Sequence, residues 1–354
     1  MVSSFIRKSL INKIAGMYII SGGFILCITL LGLFVSSVPF PVLTILDVLI
    51  TKMTGVSLIE GDIEKNIELI IWEIRFPRVL LAFFVGASLS IAGAAFQGLL
   101  RNPLADPYTI GVSSGAALGA VVVLYFQITL AMLGSFTLPF VAIICGFLTM
   151  FLVFAVTHFS NRKLAIETII LAGMIVSSFI SAIISLIIAL SSREDIRQIL
   201  YWLMGSIGMR GWSHVKLIIP FFIVGALMLL SRSRDLNALA LGEESAEHLG
   251  VNVHRGKLFI LIGASLLTGA SVAVSGSIGF VGLVIPHFIR LLVGPNHKHV
   301  LPLSMLTGGG FLILADLISR TIIAPKELPI GVITALIGAP IFAVLLIRER
   351  LGRR

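Results

Sequence analysis

The chain has 354 residues, 57% hydrophobic and only 12% charged, where a soluble domain carries about 25% charge. That balance excludes a sizeable water-soluble domain and describes one transmembrane domain over 1–354. The formal net charge of +9 invites a nucleic-acid partner, but the basic residues are dispersed between apolar runs and fit membrane orientation instead, so no nucleic acid is expected.

The first apolar run, 14–35, follows Arg7, Lys8 and Lys13. It exceeds the apolar core of a signal peptide, and no A-x-A site follows, so it is expected as a retained span with its basic end inside. Further apolar segments lie at 79–100, 108–126, 133–157, 164–190, 212–230, 257–274, 280–293, 300–323 and 328–347. Segment 280–293 falls short of the about 20 residues a crossing needs and is expected to be tilted or partly interfacial. Segments placed inside carry Arg101, Arg162, Lys163, Arg232, Arg234, Arg255, Lys257, Lys298, Arg348, Arg350, Arg353 and Arg354. Those placed outside carry Glu60, Asp62, Glu64, Glu68, Glu73, Glu194 and Asp195. The bias predicts both termini inside, hence an even number of spans. The expected fold is an all-α polytopic membrane bundle of about ten helices. Cys27 and Cys145 lie in apolar runs without C-x-x-C spacing and read as small buried hydrophobes; no metal site is expected.

The linker 36–78 is placed outside. Its stretch 42–50 is apolar but short, suited to lying on the membrane or capping the mouth of the bundle. Arg75 and Arg78 end the linker beside Trp72. Outside arginines run against the charge bias, and arginine pairs carboxylates bidentately, so they are candidates for an acidic partner as well as for interfacial anchoring.

Residues 93–119 join two small-residue-rich segments through Arg101-Asn102-Pro103-Leu104-Ala105-Asp106-Pro107. Pro103 and Pro107 disfavour helix at Asn102 and Asp106, which predicts a tight inner turn. Gly111, Gly115 and Gly119, spaced by four, predict a helix face that another helix approaches closely.

The inner linker 231–257 is polar enough to leave the bilayer. Asp235 is a candidate N-cap, Leu236, Leu239 and Ala240 mark one helical face, and Gly242 breaks the run. Glu243 to Leu249 restarts as a second short helix, with Gly250 in the C-terminal cap position. Two short capped helices on the inner face suit contact with another protein. The sequence Gly86-Ala87-Ser88-Leu89 recurs as Gly263-Ala264-Ser265-Leu266, a weak echo that would suit two related half-bundles.

Further on, glycines 276, 279 and 282 allow a sharp turn before Pro286, His287 and Arg290. A histidine there suits a structural hydrogen bond or a proton relay. Asp316 and Arg320 stand four apart and can pair on one helix face; Arg320 is also placed to meet an acidic partner outside. Glu327 and Pro329 suit the start of the last helix. No GxxxxGK[ST] or HExxH is present, so neither a P-loop nor a zinc-protease motif is expected.

The motifs Arg75-Phe76-Pro77-Arg78, Gln97 to Gly119, Tyr201-Trp202-Leu203-Met204-Gly205, Leu241 to Gly250, Ser275 to Arg290, Glu327-Leu328-Pro329-Ile330-Gly331 and Gly338-Ala339-Pro340 occur in that order. With them the chain resembles the permeases of vitamin B12 and iron–siderophore ABC importers, the FecCD-like family. The resemblance implies a type II importer fold of ten helices, paired with an identical or paralogous second permease around a central pathway. It implies a cytoplasmic ATPase dimer holding ATP and Mg, with no cofactor on this chain. That ATPase would dock on Leu236, Leu239, Ala240, Gly242, Glu243, Glu244, Ala246, Leu249 and Gly250. An extracytoplasmic binding protein would meet Arg75, Arg78 and Arg320. Asn102, Pro103, Asp106, Pro107, Pro286, His287, Arg290 and Asp316 would be structural, and the fifth and tenth helices, near 174–186 and 330–342, would line the pathway. The implied cargo is a ferric siderophore, with cobalamin or haem as alternatives, carried across a prokaryotic cytoplasmic membrane. From a different class, a proton-coupled transporter using Asp316 and His287 would need neither ATPase nor binding protein; a structural bundle would carry no substrate at all.

Overall fold

The structure, a computed structural model, describes residues 2–36, 38–57, 59, 63–160 and 166–351. Of the orientation markers, Glu60, Asp62, Arg162, Lys163, Arg353 and Arg354 lie outside the described residues, as do the side chains of Arg7, Lys8, Arg348 and Arg350.

Helix α1 (Val2–Phe34) leads to α2 (Val42–Thr54) and α3 (Lys65–Leu69), then a π-helical turn, Ile70–Arg75, runs into α4 (Phe76–Leu99). A 3-10 turn, Pro107–Ile110, precedes α5 (Val112–Tyr125), followed by α6 (Thr137–Ser160), α7 (Ile166–Leu190), α8 (Arg193–Leu203) and α9 (Gly211–Ser231). The short α10 (Ser233–Ala240) and α11 (Glu243–His248) precede α12 (Val253–Ser275), α13 (Val281–Val293), α14 (His297–Thr321) and α15 (Ile330–Leu351). Among the described residues seven helices are long and apolar enough to cross a membrane, and α5, α13 and the first part of α15 are shorter apolar helices. Together they occupy the ten places expected. Helix α1 starts a dozen residues before its apolar run, and α8 fills a stretch for which no element was expected. The signal for α8 was present: Ser192 accepts from the backbone of Asp195 at 3.3 Å as an N-cap, and Ile196, Ile199, Leu200 and Leu203 repeat at helical spacing.

Small residues decide which helices are central. In α4, 83% of the apolar window is buried, and in α12 78%, against 22% in α1. Gly86 and Gly93 let the α4 backbone approach its neighbours: a Cβ at Gly86 would lie 2.3 Å from the Gly308 carbonyl oxygen, and one at Gly93 1.8 Å from that of Gly282. Without a hydrophobic drive between helices in lipid, such close backbone contact is what holds spans together. Gly263, the counterpart of Gly86 in the repeated four residues, likewise sits at a crossing, of α12 on α9 beside Met228 and Leu229. Gly115 and Gly119 pack on α6 at Thr149 and Cys145, as their spacing predicts, whereas Gly111 turns the chain (φ 88°) and faces Ser177 on α7.

Cys145 is half-buried, but Cys27 is exposed on the apolar outside of α1, so only one cysteine approaches the interior position expected of both. Stretch 42–50 forms α2, whose Ile45 and Val48 pack into the outer core cluster with Ile71 and Leu81. It covers that end of the bundle.

Helix α13 spans about 20 Å, less than the roughly 30 Å of a hydrocarbon core. The shortfall is made up by the non-helical segment 276–280, which lies inside protein, where irregular backbone is tolerated if its polar groups are met. Tyr108 meets two of them: its hydroxyl donates to the Ile278 carbonyl at 2.7 Å and accepts from the Ile278 N–H at 3.1 Å. Ser206 N–H donates to the Ser275 carbonyl at 2.8 Å, and Ile330 N–H to that of Gly205 at 3.1 Å. Three loops are thereby knit into one buried junction.

Candidate functional site

The outer end is built around Arg78. The π turn at Ile70–Arg75 carries an extra residue per turn into α4, and Pro77 sits in the first turn of α4. Arg78 Nε and Nη2 donate to the Asp316 carboxylate at 2.9–3.0 Å, and Nη1 donates to Glu327 Oε1 at 2.7 Å. Asp316 does meet Arg320, one turn along α14, but only at 3.7 Å; its main partner is Arg78, from a distant part of the chain. Glu327 serves this network rather than the start of α15, because its carboxylate is committed to Arg78. Arg320 donates to the Gly32 carbonyl, and Arg75 to those of Leu33 and Val38, with its guanidinium 4.6 Å from the Phe40 ring centre. Arg75 and Arg320 are therefore buried, 4% and 7% exposed. Of the three arginines expected to meet an acidic partner, Arg75 and Arg320 are buried and tie α1 to the bundle, and Arg78 reaches toward the surface through its partner Glu327. Beside them the rings of Trp72, Phe76 and Trp212 pack with their centres 5.1–5.5 Å apart, and Trp212 Nε1 donates to the Trp72 carbonyl at 2.8 Å. Trp72 thus meets α9 through Trp212.

The inner end brings 101–107, 232–257 and 294–297 together. Arg101 takes a left-handed conformation (φ 49°), Asn102 Oδ1 accepts from Leu104 N–H at 2.9 Å, and Asp106 Oδ1 accepts from Tyr108 N–H at 2.9 Å. Burial pushes the Asp106 carboxyl up from its ordinary range, partly opposed by the Tyr108 N–H. Pro103 lines the inner surface beside Ala240, and Pro107 starts the buried 3-10 turn. Pro286 and His287 are buried in α13, where His287 meets Phe342 of α15 edge-on at 5.9 Å between ring centres. Arg290 Nη1 donates to Gln97 Oε1 at 3.0 Å.

The two short inner helices form as predicted, with Gly242 (φ 123°) between them and Gly250 (φ 83°) after them. Asp235 is not the cap. It stands in the first turn of α10 and accepts from Arg232 Nη1 at 3.0 Å. Leu236, Leu239 and Ala246 face the bundle and are buried, so they fasten these helices rather than meet a partner. Glu243 pairs with Lys257 at 2.6 Å. That leaves Ala240, Glu244, Leu249 and Gly250 exposed, with Gly242 half-buried between the helices, and adds Leu241, 69% exposed, as an apolar contact at the turn. Asn237 was not singled out in the sequence; its Oδ1 accepts from His297 N–H at 2.8 Å and joins α10 to the start of α14.

Between the two ends, Leu171, Met174, Ile175, Phe179 and Leu186 of α7, and Leu336 of α15, expose apolar side chains. No group of three His, Cys, Asp or Glu suited to a metal occurs among the described residues.

The model of the FecCD transport family matches residues 24–348. The uncharacterised ABC transporter permease YvrB of Bacillus subtilis is 50% identical over 354 residues, 100% of this chain and 99% of that protein. The cobalamin import system permease BtuC of Halobacterium salinarum is 41% identical over 320 residues, 88% of this chain and 80% of that one. A solved structure of a metal-chelate type ABC transporter in an inward-facing conformation aligns with a TM-score of 0.79 at 34% identity, covering 95% of this chain and 98% of that chain.

Proposed function

Since the chain belongs to the FecCD transport family and has the fold of a type II ABC importer permease, we propose that it carries a ferric siderophore across the cytoplasmic membrane of a prokaryote, by alternating access. A separate cytoplasmic ATPase dimer, holding ATP and Mg, would supply the drive, and this chain would do no covalent chemistry. The observation that carries the reading is the inner pair α10 and α11. Its apolar side is buried on the bundle, while Leu241, Glu244 and Leu249 stand free of it. A push received there passes to α4 and α14 through packed side chains and the Asn237–His297 contact. The second permease would pair across a pathway lined by the apolar faces of α7 and α15, which suits a bulky chelate that must be released as well as held. An extracytoplasmic binding protein would dock at the outer end, where Arg78 and Glu327 reach the surface. Arg75 and Arg320 support that place from beneath, and any acidic side chain of the partner would compete with Glu327 for Arg78.

The substrate assignment is tested by uptake into vesicles holding the complete transporter with its cognate binding protein. Ferric siderophore is expected to accumulate, and cobalamin and haem are not. Accumulation of cobalamin or haem in place of the siderophore would overturn the assignment while leaving the importer reading intact.

A further inference from the structure

A cavity of about 320 Å³ opens at the inner end between the end of α4, the turn after it, α10, α13 and the start of α14. Arg101, Arg290, His287 and His297 line it together with Gln97 and Ala240, and among the described residues no carboxylate does. Of the carboxylates near it in sequence, Asp106 accepts from Tyr108 N–H at 2.9 Å, Asp235 pairs with Arg232 at 3.0 Å and Glu243 with Lys257 at 2.6 Å, while Glu244 faces outward. The Arg290 guanidinium is held in place. Gln97 Nε2 donates to the Leu283 carbonyl at 3.0 Å, which fixes the amide so that its oxygen accepts from Arg290 Nη1. Arg290 Nη2 is buried without a hydrogen-bond partner, and so is His297 Nε2. The C-terminal end of α13 offsets part of the cost of that buried charge, but an orphaned guanidinium N–H remains expensive. Two guanidiniums and, among the described residues, no acid, at the inner surface of a membrane bundle, have the chemistry that holds a phosphate group.

We propose that this cavity binds a phosphate-bearing anion, with Arg290 Nη2 as the inner donor and Arg101 as the outer one. Two sources share that chemistry, the headgroup of an anionic phospholipid and free phosphate. Either would bridge α13 and the turn 101–107 directly beneath Ala240, at the place where α10 meets the bundle.

The full chain is purified in mild detergent, stripped of lipid, and its thermal unfolding midpoint followed during titration with inorganic phosphate, with phosphatidylglycerol, or with phosphatidylcholine. A ligand that binds only the folded state raises the midpoint. Phosphatidylglycerol is expected to raise it where phosphatidylcholine does not. If inorganic phosphate also raises it and competes, the source is free phosphate; if phosphatidylglycerol alone acts, it is the lipid headgroup. Arg290→Gln is expected to weaken the half-maximal concentration by about tenfold or more, the loss of a charge-assisted hydrogen bond. Arg101→Asn, at an exposed position whose left-handed backbone asparagine tolerates, is expected to weaken it severalfold without unfolding the chain, which keeps the test open should Arg290→Gln not fold. No response of the unaltered chain to either anion, or an unchanged response in Arg101→Asn, overturns the proposal. So does acetate acting as well as phosphate, because the pocket would then take a carboxylate.

Discussion

Asp106 is held by two opposed effects. Its carboxylate caps the 3-10 turn by accepting from Tyr108 N–H, yet burial raises its pKa. A raised carboxyl favours the protonated form in the fold, so the charge destabilises the fold as pH rises through the folded-state pKa and costs nothing below the unfolded value. Asp106→Asn keeps the acceptor and removes the charge. It is expected to raise the thermal midpoint at neutral pH, with the gain vanishing as pH falls into the ordinary carboxylate range. Asp106→Ala loses the cap and is expected to cost about 1 kcal/mol; a pH-independent effect of Asp106→Asn would contradict the burial argument. At the outer end, Asp316→Ala strips Arg78 of its buried partner and leaves Arg320 without a carboxylate, an expected loss of roughly 3–5 kcal/mol. Glu327→Gln removes the more exposed partner and is expected to cost about 1 kcal/mol or less. Thermal unfolding of the two variants in detergent compares them, and equal losses would show that burial does not set the strength of this network. The Asp316–Arg320 pair was legible in the sequence from its spacing. The stronger bond from Arg78 was not, because the two residues are 238 positions apart and only tertiary packing joins them.

Among elements, the loop junction at 204–206, 275–278 and 328–331 depends on backbone shape that only glycine supplies. Gly276 has φ 72°, and a Cβ there would lie 2.2 Å from the Trp202 carbonyl oxygen, whereas a Cβ at Gly279 would meet nothing within 4 Å. Gly276→Ala is expected to cost roughly 3 kcal/mol or to prevent folding, and Gly279→Ala about 0.5 kcal/mol or less. Similar thermal midpoints for the two would contradict the close approach. The pair α10 and α11 separates fastening from contact. Leu236→Ala is expected to destabilise the chain by about 2–5 kcal/mol. Glu244→Lys lies on the exposed side, so it should leave stability within about 0.5 kcal/mol while lowering the ATPase activity that the assembled complex couples to substrate. Normal coupling in Glu244→Lys would move the contact elsewhere. The existence of these helices was readable from Gly242, Gly250 and the apolar spacing between them. Which side faces the bundle was not, because a short amphipathic helix buries the same stripe whether its cover is its own chain or a partner. Helix α13 was read correctly as too short to cross alone, but the remedy, a buried non-helical segment served by Tyr108, leaves no local trace: Tyr108 and Ile278 are 170 positions apart.

At the scale of the whole molecule, α4, α12 and α14 form the buried centre, with the less buried α1, α6, α7 and α9 around it. The inner turn 101–107 and the α10–α11 pair share one end, and the Arg78 network occupies the other. The proposed alternating-access mechanism would use this arrangement, a movement received at one end reaching the other through closely packed helices. The span count and positions were written in the apolar runs because lipid demands them. The division of labour at the two ends was not, because it depends on which charges the fold buries against each other. The rival class, a proton-driven carrier using Asp316 and His287, places its working carboxylate where the structure has a committed ion pair. Uptake by the complete transporter, reconstituted in vesicles with the proton gradient and ATP set independently, distinguishes the two. Accumulation that requires ATP inside and persists when the gradient is collapsed is the predicted result; accumulation that continues without ATP and follows the gradient would contradict it.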